Sequence, residues 1–364
     1  MARVINFSAG PATLPLPVLE YAQNEFLDHE GTGISLVEHS HRGAAYAKVH
    51  EETKTLFREL LDIPDTHEVL FMQGGASAQF AFVPMNLRSA GQSADYINTG
   101  AWSDKAFAEA KVTGEAREAG TGKVDGKYTR VPKQDELDLD RNAAYVHFTT
   151  NNTIMGTQFH EYPQSGDAPL VADMSSDILW RPIDVSKFGL IYAGAQKNLG
   201  PSGITIVILR KDLAERSPST LPKIFRYKTI LDGDSLQNTI PTFPVYMVRN
   251  VLRWVRDQGG AAGMEKRNRE KAGYIYSMID DNPDFFRCPV EVQSRSMMNP
   301  VFRLPTEDLE KKFIADAAEA GMVGIKGHRS VGGIRTSIYN AMEPENVETF
   351  VDFAKTFASR NARG

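Results

Sequence analysis

The strongest constraint in this sequence is a series of short apolar runs, rich in β-branched and aromatic residues and bounded by Gly, Pro or Asn. They fall at 69–72, 95–97, 145–148, 169–172, 190–193 and 204–209, separated by longer amphipathic stretches. Such runs predict buried strands, and their alternation with helices predicts a parallel or mostly parallel sheet in an α/β domain. Residues 120–133, rich in Gly and Lys, predict a surface loop or hairpin. Val245, Val248, Leu252 and Val255 share one face of a predicted helix over 244–257, with Gly259 and Gly260 as its stop.

Beyond about residue 260 the pattern changes. Strands are predicted at 300–304, 322–325 and 334–338, and helices at 307–320 and around Val347, Phe350, Val351, Ala354 and Phe357. This predicts a small α+β C-terminal domain that the N-terminal strand joins. The expected division is 16–260 for the large domain, and 1–15 with 261–364 for the small one. The 364-residue length suits about two domains.

Composition excludes several classes. One cysteine cannot supply a disulfide framework, a zinc ribbon or an iron–sulfur cluster. A net charge of −5 leaves no electrostatic footprint for nucleic acid or an anionic membrane. No apolar run approaches the roughly 20 residues of a membrane span. The opening MARVINFSAGPATLPLP lacks the apolar core of a signal peptide. The expectation is a cytoplasmic enzyme acting on small molecules.

The chemistry concentrates at strand ends. Lys197, in AGAQKNLGPSG, follows a predicted buried strand and is surrounded by small residues. A lysine there is either a solvated turn residue or an amine tuned by desolvation for imine chemistry. Asp173 ends the strand at 169–172, and Lys197 stands 24 positions later. By itself Asp173 reads most simply as a loop cap. An acid and an amine at adjacent strand ends fit pyridoxal phosphate (PLP): the carboxylate keeps the pyridine nitrogen protonated and the lysine holds the aldehyde as an imine.

A phosphate site should accompany them. QGGAS at 73–77 lies between a strand and a helix, where exposed amides bind phosphate, although most glycine pairs are only turns. Neither a dinucleotide fingerprint nor a P-loop is present. Trp102 could stack on a flat ring, and Thr153 could reach the ring's phenolic oxygen; both residue types are commonplace in cores and after strands. Two His-Arg pairs, His41 with Arg42 and His328 with Arg329, together with Arg335, suit a doubly anionic substrate. Most arginines are merely solvated. His39 and His41 lack further ligands nearby, so no metal site is expected.

NFSAGPATLP, SHRG, FMQGGASAQFAFVPMNL, NTGAWSDKA, AGAQKNLGPSG, NTIPTFPVYM and KGHRSVGGIRTSIYNAM occur in order from about residue 5 to 342. Together they resemble the phosphoserine aminotransferases, a family of class V PLP aminotransferases with the aspartate aminotransferase-like fold type I. The resemblance implies transfer of an amino group between L-glutamate and 3-phosphohydroxypyruvate, in serine biosynthesis. A related phosphorylated substrate of pyridoxine biosynthesis stays open. It implies that Lys197 bonds the cofactor and Asp173 pairs with its ring nitrogen. Trp102 would stack on the ring and Thr153 would touch its phenolic oxygen. Ala76, Ser77 and Gln196 would bind its phosphate, as would Asn238 and Thr239 from the partner subunit of a homodimer with shared sites. Arg335 would take the substrate α-carboxylate. His41, Arg42, His328 and Arg329 would take the distal phosphate or carboxylate, some across the dimer.

Two positions depart from the family's pattern: Asn152 stands where many members carry Glu, and Ile240 where many carry Pro. Neither carries the expected chemistry. Two other readings compete. A different class V enzyme would be an alanine–glyoxylate aminotransferase, which needs no paired His-Arg clusters, or a cysteine desulfurase. A desulfurase needs a reactive thiol, and Cys288 reads as core packing. A non-catalytic binding protein would have no use for both Lys197 and Asp173.

Overall fold

The computed structural model describes residues 3–361. Among them, a seven-stranded sheet comprises β1 (His67–Met72), β2 (Ala94–Asn98), β3 (Ala116–Thr121), β4 (Val146–Thr149), β5 (Leu170–Asp173), β6 (Leu190–Gly194) and β7 (Thr205–Arg210). Its spatial order is β1-β7-β6-β5-β4-β2-β3. β7 runs antiparallel to both β6 and β1, and the remaining pairs are parallel. Six strands therefore share one direction, and their C-terminal ends line one edge. The reversal at β7 follows from its connection. Residues 195–204 are too few and too rich in Gly and Pro for a crossover helix, which needs a dozen or more.

Both sheet faces are buried, which is why these strands read as continuous apolar runs. Val69, Phe71, Ile206 and Ile208 enter one apolar cluster, while Leu70, Met72, Val207 and Leu209 enter another. That is the two-residue alternation of a strand. The longer helices are α1 (Leu16–Glu25), α2 (Ala44–Leu61), α3 (Gly75–Leu87), α4 (Ala101–Thr113), α5 (Thr242–Asp257), α6 (Gly260–Asp280), α7 (Glu307–Glu319) and α8 (Pro344–Asn361). No helix among the described residues is long and apolar enough to cross a membrane.

Three details differ from the sequence expectation. Gly120 and Thr121 belong to the edge strand β3, and only the hairpin of Lys123–Val124 with Lys127–Tyr128 matches the predicted segment. β3 reads AREAGT, and such charged composition is typical of an edge, which pairs on one side only. Gly260 opens α6 instead of ending α5, with Gly259 at φ 91° making the turn between them. The predicted C-terminal strands shrink to Val301–Phe302, Met322–Val323 and Ile334–Arg335.

A separate apolar cluster gathers Phe7, Ala272, Ile275, Phe302, Phe313 and Phe350. Ile5–Asn6 pairs in parallel with Met322–Val323, so the N-terminal strand does join the C-terminal elements. Cys288 packs at the margin of this cluster. Residues 1–2 and 362–364, at the ends of the expected small domain, lie outside the described residues.

Candidate active site

The sheet edge assembles the central groups. Asp173 is the last residue of β5, and Gly194 ends the neighbouring β6 three residues before Lys197. Asp173 is 4% exposed and accepts a hydrogen bond from Ser175 N at 2.9 Å. Burial pushes its carboxyl above the usual range, against the pull of the Lys197 cation and Ser175. Burial also draws the Lys197 amine down to about 8, while Asp173 and Asp177 pull it up and Arg335 pushes it further down. The lysine is therefore part neutral near physiological pH, unlike a solvated one.

Trp102 lies in the first turn of α4 with its ring centroid 5.5 Å from Lys197 Nζ. Its Nε1 donates to Thr153 Oγ1 at 2.9 Å, leaving the threonine's own proton free to donate elsewhere. Arg335 Nη1 donates to Thr153 O at 3.3 Å, and its buried Nε has no partner. An unpaired buried guanidinium N–H is costly unless an anion meets it. Arg335 also borders a cleft of about 630 Å³ shared with Ile154, Ser330 and the Lys123–Tyr128 hairpin. His328 stacks its demands locally: Nδ1 bonds Ser330 Oγ at 2.7 Å, and burial with Arg335, Arg329 and Lys105 lowers its pKa. Arg329 is exposed beside it.

Ala76 and Ser77 sit in the first turn of α3, which no side chain caps. Its first N–H groups are left for an anion. Gly74 adopts φ 92°, and a Cβ there would stand 2.5 Å from the Ala78 Cβ, so the strand-to-helix turn requires glycine. Gly10, at φ 145°, lets the N-terminal segment pass over the site. A Cβ on it would lie 3.4 Å from Lys197 Cγ and 3.5 Å from Gln196 Cγ. Gln196 O also accepts from Ala12 N at 2.9 Å, pinning that segment.

Two sets of expected residues bond within their own chain, one of them to Gln73 at the start of the α3 turn. Asn238 Nδ2 donates to Gln73 Oε1 at 3.4 Å, and Gln73 Nε2 donates to Thr239 O at 3.0 Å. Arg42 N donates to Ser40 Oγ at 3.3 Å, and His41 Nε2 is buried without a partner.

Sequence reasoning missed three contributors. Asn152 Oδ1 accepts from Trp102 N at 3.2 Å and its Nδ2 donates to Thr99 Oγ1 at 2.8 Å, so the residue flagged only as a departure orients the tryptophan. Lys105 Nζ lies 4.3 Å from the Trp102 ring centroid, one helical turn on. Asp177 is 3% exposed, and its carboxylate accepts from the Thr150 hydroxyl and from Gln158 Nε2. Its spacing from Asp173 in DMSSD was the available signal.

The Aminotransferase class-V family model matches residues 4–350. A phosphoserine aminotransferase of Desulfatibacillum aliphaticivorans is 53% identical over 360 residues, covering 99% of each chain. The solved phosphoserine aminotransferase from Bacillus circulans subsp. alkalophilus is similar at a TM-score of 0.97, with 51% identity over 100% of this chain and 99% of that one. A PLP-bound phosphoserine aminotransferase from Trichomonas vaginalis is similar at a TM-score of 0.92, with 38% identity over 97% of this chain and 100% of that one. Near-complete coverage at such identity places the chain in the phosphoserine aminotransferase family of the class V aminotransferases.

Proposed function

We propose that the chain is a PLP-dependent transaminase that moves an amino group from L-glutamate to 3-phosphohydroxypyruvate, giving 2-oxoglutarate and O-phospho-L-serine. The observation that carries this is the half-buried Lys197 over the face of Trp102, drawn by the charge of the buried Asp173 and set near a guanidinium with an unpaired N–H. These residues fit a flat, phosphorylated pyridine. Trp102 offers a face, α3 offers uncapped amides, and Asp173 offers a buried carboxylate.

When bound, PLP supplies an aldehyde that condenses with amines and a ring that accepts electron density. Lys197 would hold it through its amine, and that amine, when free, would take the proton from the substrate Cα. Asp173 keeps a proton on the pyridine nitrogen. Thr153 donates to the phenolic oxygen, and Ala76, Ser77 and Gln196 receive the phosphate. Arg335 takes the α-carboxylate. His328 and Arg329, with His41 and Arg42, take the distal phosphate or carboxylate; several independent donors accept either anion more readily than one rigid pair does.

The enzyme acts as a homodimer in which Asn238, Thr239, His41 and Arg42 serve the partner's site. His41 Nε2, buried with no partner in its own chain, supports a contribution of that residue across the dimer. The division into 16–260, and 1–15 with 261–364, belongs to the same reading, and the separate C-terminal apolar cluster supports it.

The test is a coupled assay of purified protein with glutamate and 3-phosphohydroxypyruvate, run beside alanine with glyoxylate. Formation of 2-oxoglutarate in the first pair alone is expected. Turnover of the second pair alone would assign the chain to another class V activity.

A further inference from the structure

We propose that Asn198, Asn268 and Asn340 form a positioning device that holds Arg335 in register with the Lys197 amine. The inference rests on the roles just given to those two residues. All three asparagines are buried, at 5%, 0% and 1% exposure. A buried amide is retained only when its donors and acceptors are met. Here every such group except Asn268 Oδ1, which has no partner, joins segments that carry the site.

Asn198 follows Lys197 directly. Its Oδ1 accepts from Asn340 N at 3.0 Å, and its Nδ2 donates to Ile178 O at 3.0 Å. Asn340 in turn donates through Nδ2 to Leu179 O at 3.0 Å, and its Oδ1 accepts from Asn268 Nδ2 at 2.7 Å. Asn268 Nδ2 also lies 3.2 Å from Trp180 O. The residues joined are therefore the lysine loop, the 178–180 turn that follows Asp173 and the segment that carries Arg335.

Two further observations show that this junction bears a constraint. Leu179 is fully buried at φ 60°, a left-handed conformation that a bulky residue holds only when its surroundings impose it. Its carbonyl is the one that Asn340 grips. One turn along α6 from Asn268, the buried Lys271 Nζ donates to Ile338 O at 2.9 Å and to Tyr339 O at 2.7 Å. One face of α6 thus holds residues 338–340, five positions beyond Arg335 at most. Displacement of a substrate carboxylate by about 1 Å relative to the reacting amine costs about 10²-fold in rate.

The test is single-turnover conversion of the PLP-loaded protein by saturating L-glutamate, read from cofactor absorbance, in Asn340→Ala and Asn268→Ala. Asn340→Ala removes two bonds of the junction, those of its side chain with Leu179 O and Asn268 Nδ2, and keeps the backbone bond to Asn198 Oδ1. It is expected to keep its cofactor and lose about tenfold or more in the saturating rate, with amide hydrogen exchange rising at Thr336 and Ile338. Asn268→Ala, which leaves the Asn198 and Leu179 bonds intact, is expected to lose about threefold, and it carries the test if Asn340→Ala does not fold. Saturating rates within twofold of an active wild type in either folded variant overturn the proposal while leaving the functional reading intact. A wild type inert toward glutamate overturns that reading, and the proposal with it.

Discussion

Lys197 Nζ stands 5.5 Å from the centroid of the Trp102 ring. Stacked aromatic rings place their centroids 4.5–7 Å apart, so a ring lying on Trp102 meets the lysine amine at bonding reach. Lys197→Ala is expected to abolish turnover, with a loss of at least about 10³-fold. Borohydride treatment of the wild type should fix the cofactor to the peptide containing Lys197, read by mass spectrometry. A reduced cofactor found on any other lysine would remove Lys197 from this role.

Asp173→Asn keeps the shape of the site and removes its buried negative charge. The variant should still bind PLP but lose about 10²-fold or more in kcat, the scale of a lost preorganised electrostatic contact. Cofactor titration beside steady-state kinetics separates the two effects. An unchanged kcat sinks the ring-nitrogen assignment.

Burial lowers the Lys197 amine to about 8, and only the neutral amine attacks the cofactor aldehyde. Capture of PLP by the cofactor-free protein should therefore quicken as pH rises and level off just above 8, not near the 10.4 of a solvated lysine. Stopped-flow absorbance over pH 6–10 reads this directly, and a rate still climbing through pH 9.5 contradicts it.

Asp177 makes the opposite prediction for stability. Burial raises its carboxyl to about 6, above the roughly 3.9 of an unfolded chain. The native state then binds the extra proton between those values. Its stabilising contribution is full at low pH and is lost as pH rises through about 6. Asp177→Asn lacks this dependence, so its melting temperature should gain on the wild type between pH 4.5 and 7.5. Parallel melting curves across that range would show the carboxyl titrating normally.

Arg42→Ala and Arg329→Ala should each raise KM for the phosphorylated substrate by about 10-fold or more, the scale of a lost charge-assisted hydrogen bond. Arg42 serves the partner's site in the proposed dimer, so mixing inactive Lys197→Ala with impaired Arg42→Ala subunits should regenerate one intact site per hybrid. Activity of the refolded mixture above that of either parent is the expected outcome. Activity no higher than the parents' places Arg42 in its own chain's site.

Much of this was legible locally. Short apolar runs announced β1, β2 and β4–β7 because both sheet faces are buried. Lys197, Asp173 and the GGAS turn were legible because each depends on residues within a few positions: a strand end, a flanking glycine, a helix start. Edge strand β3 was not, since an edge needs no apolar run, and neither was the placement of β7 between β6 and β1, which pairing alone reveals.

What only the tertiary structure decided is how distant residues share one environment. Asn152 meets Trp102 and Asn198 meets Asn340 across 50 and 142 positions of chain, separations at which no periodicity carries information. The desolvation that lowers Lys197 and raises Asp177 is likewise a property of everything packed around them, not of their neighbours in sequence. The sequence by itself determined which groups could do the chemistry, because residue type and local backbone set donor, acceptor and charge. Their protonation and mutual register were left to the fold, because both depend on water excluded and segments joined over the length of the chain.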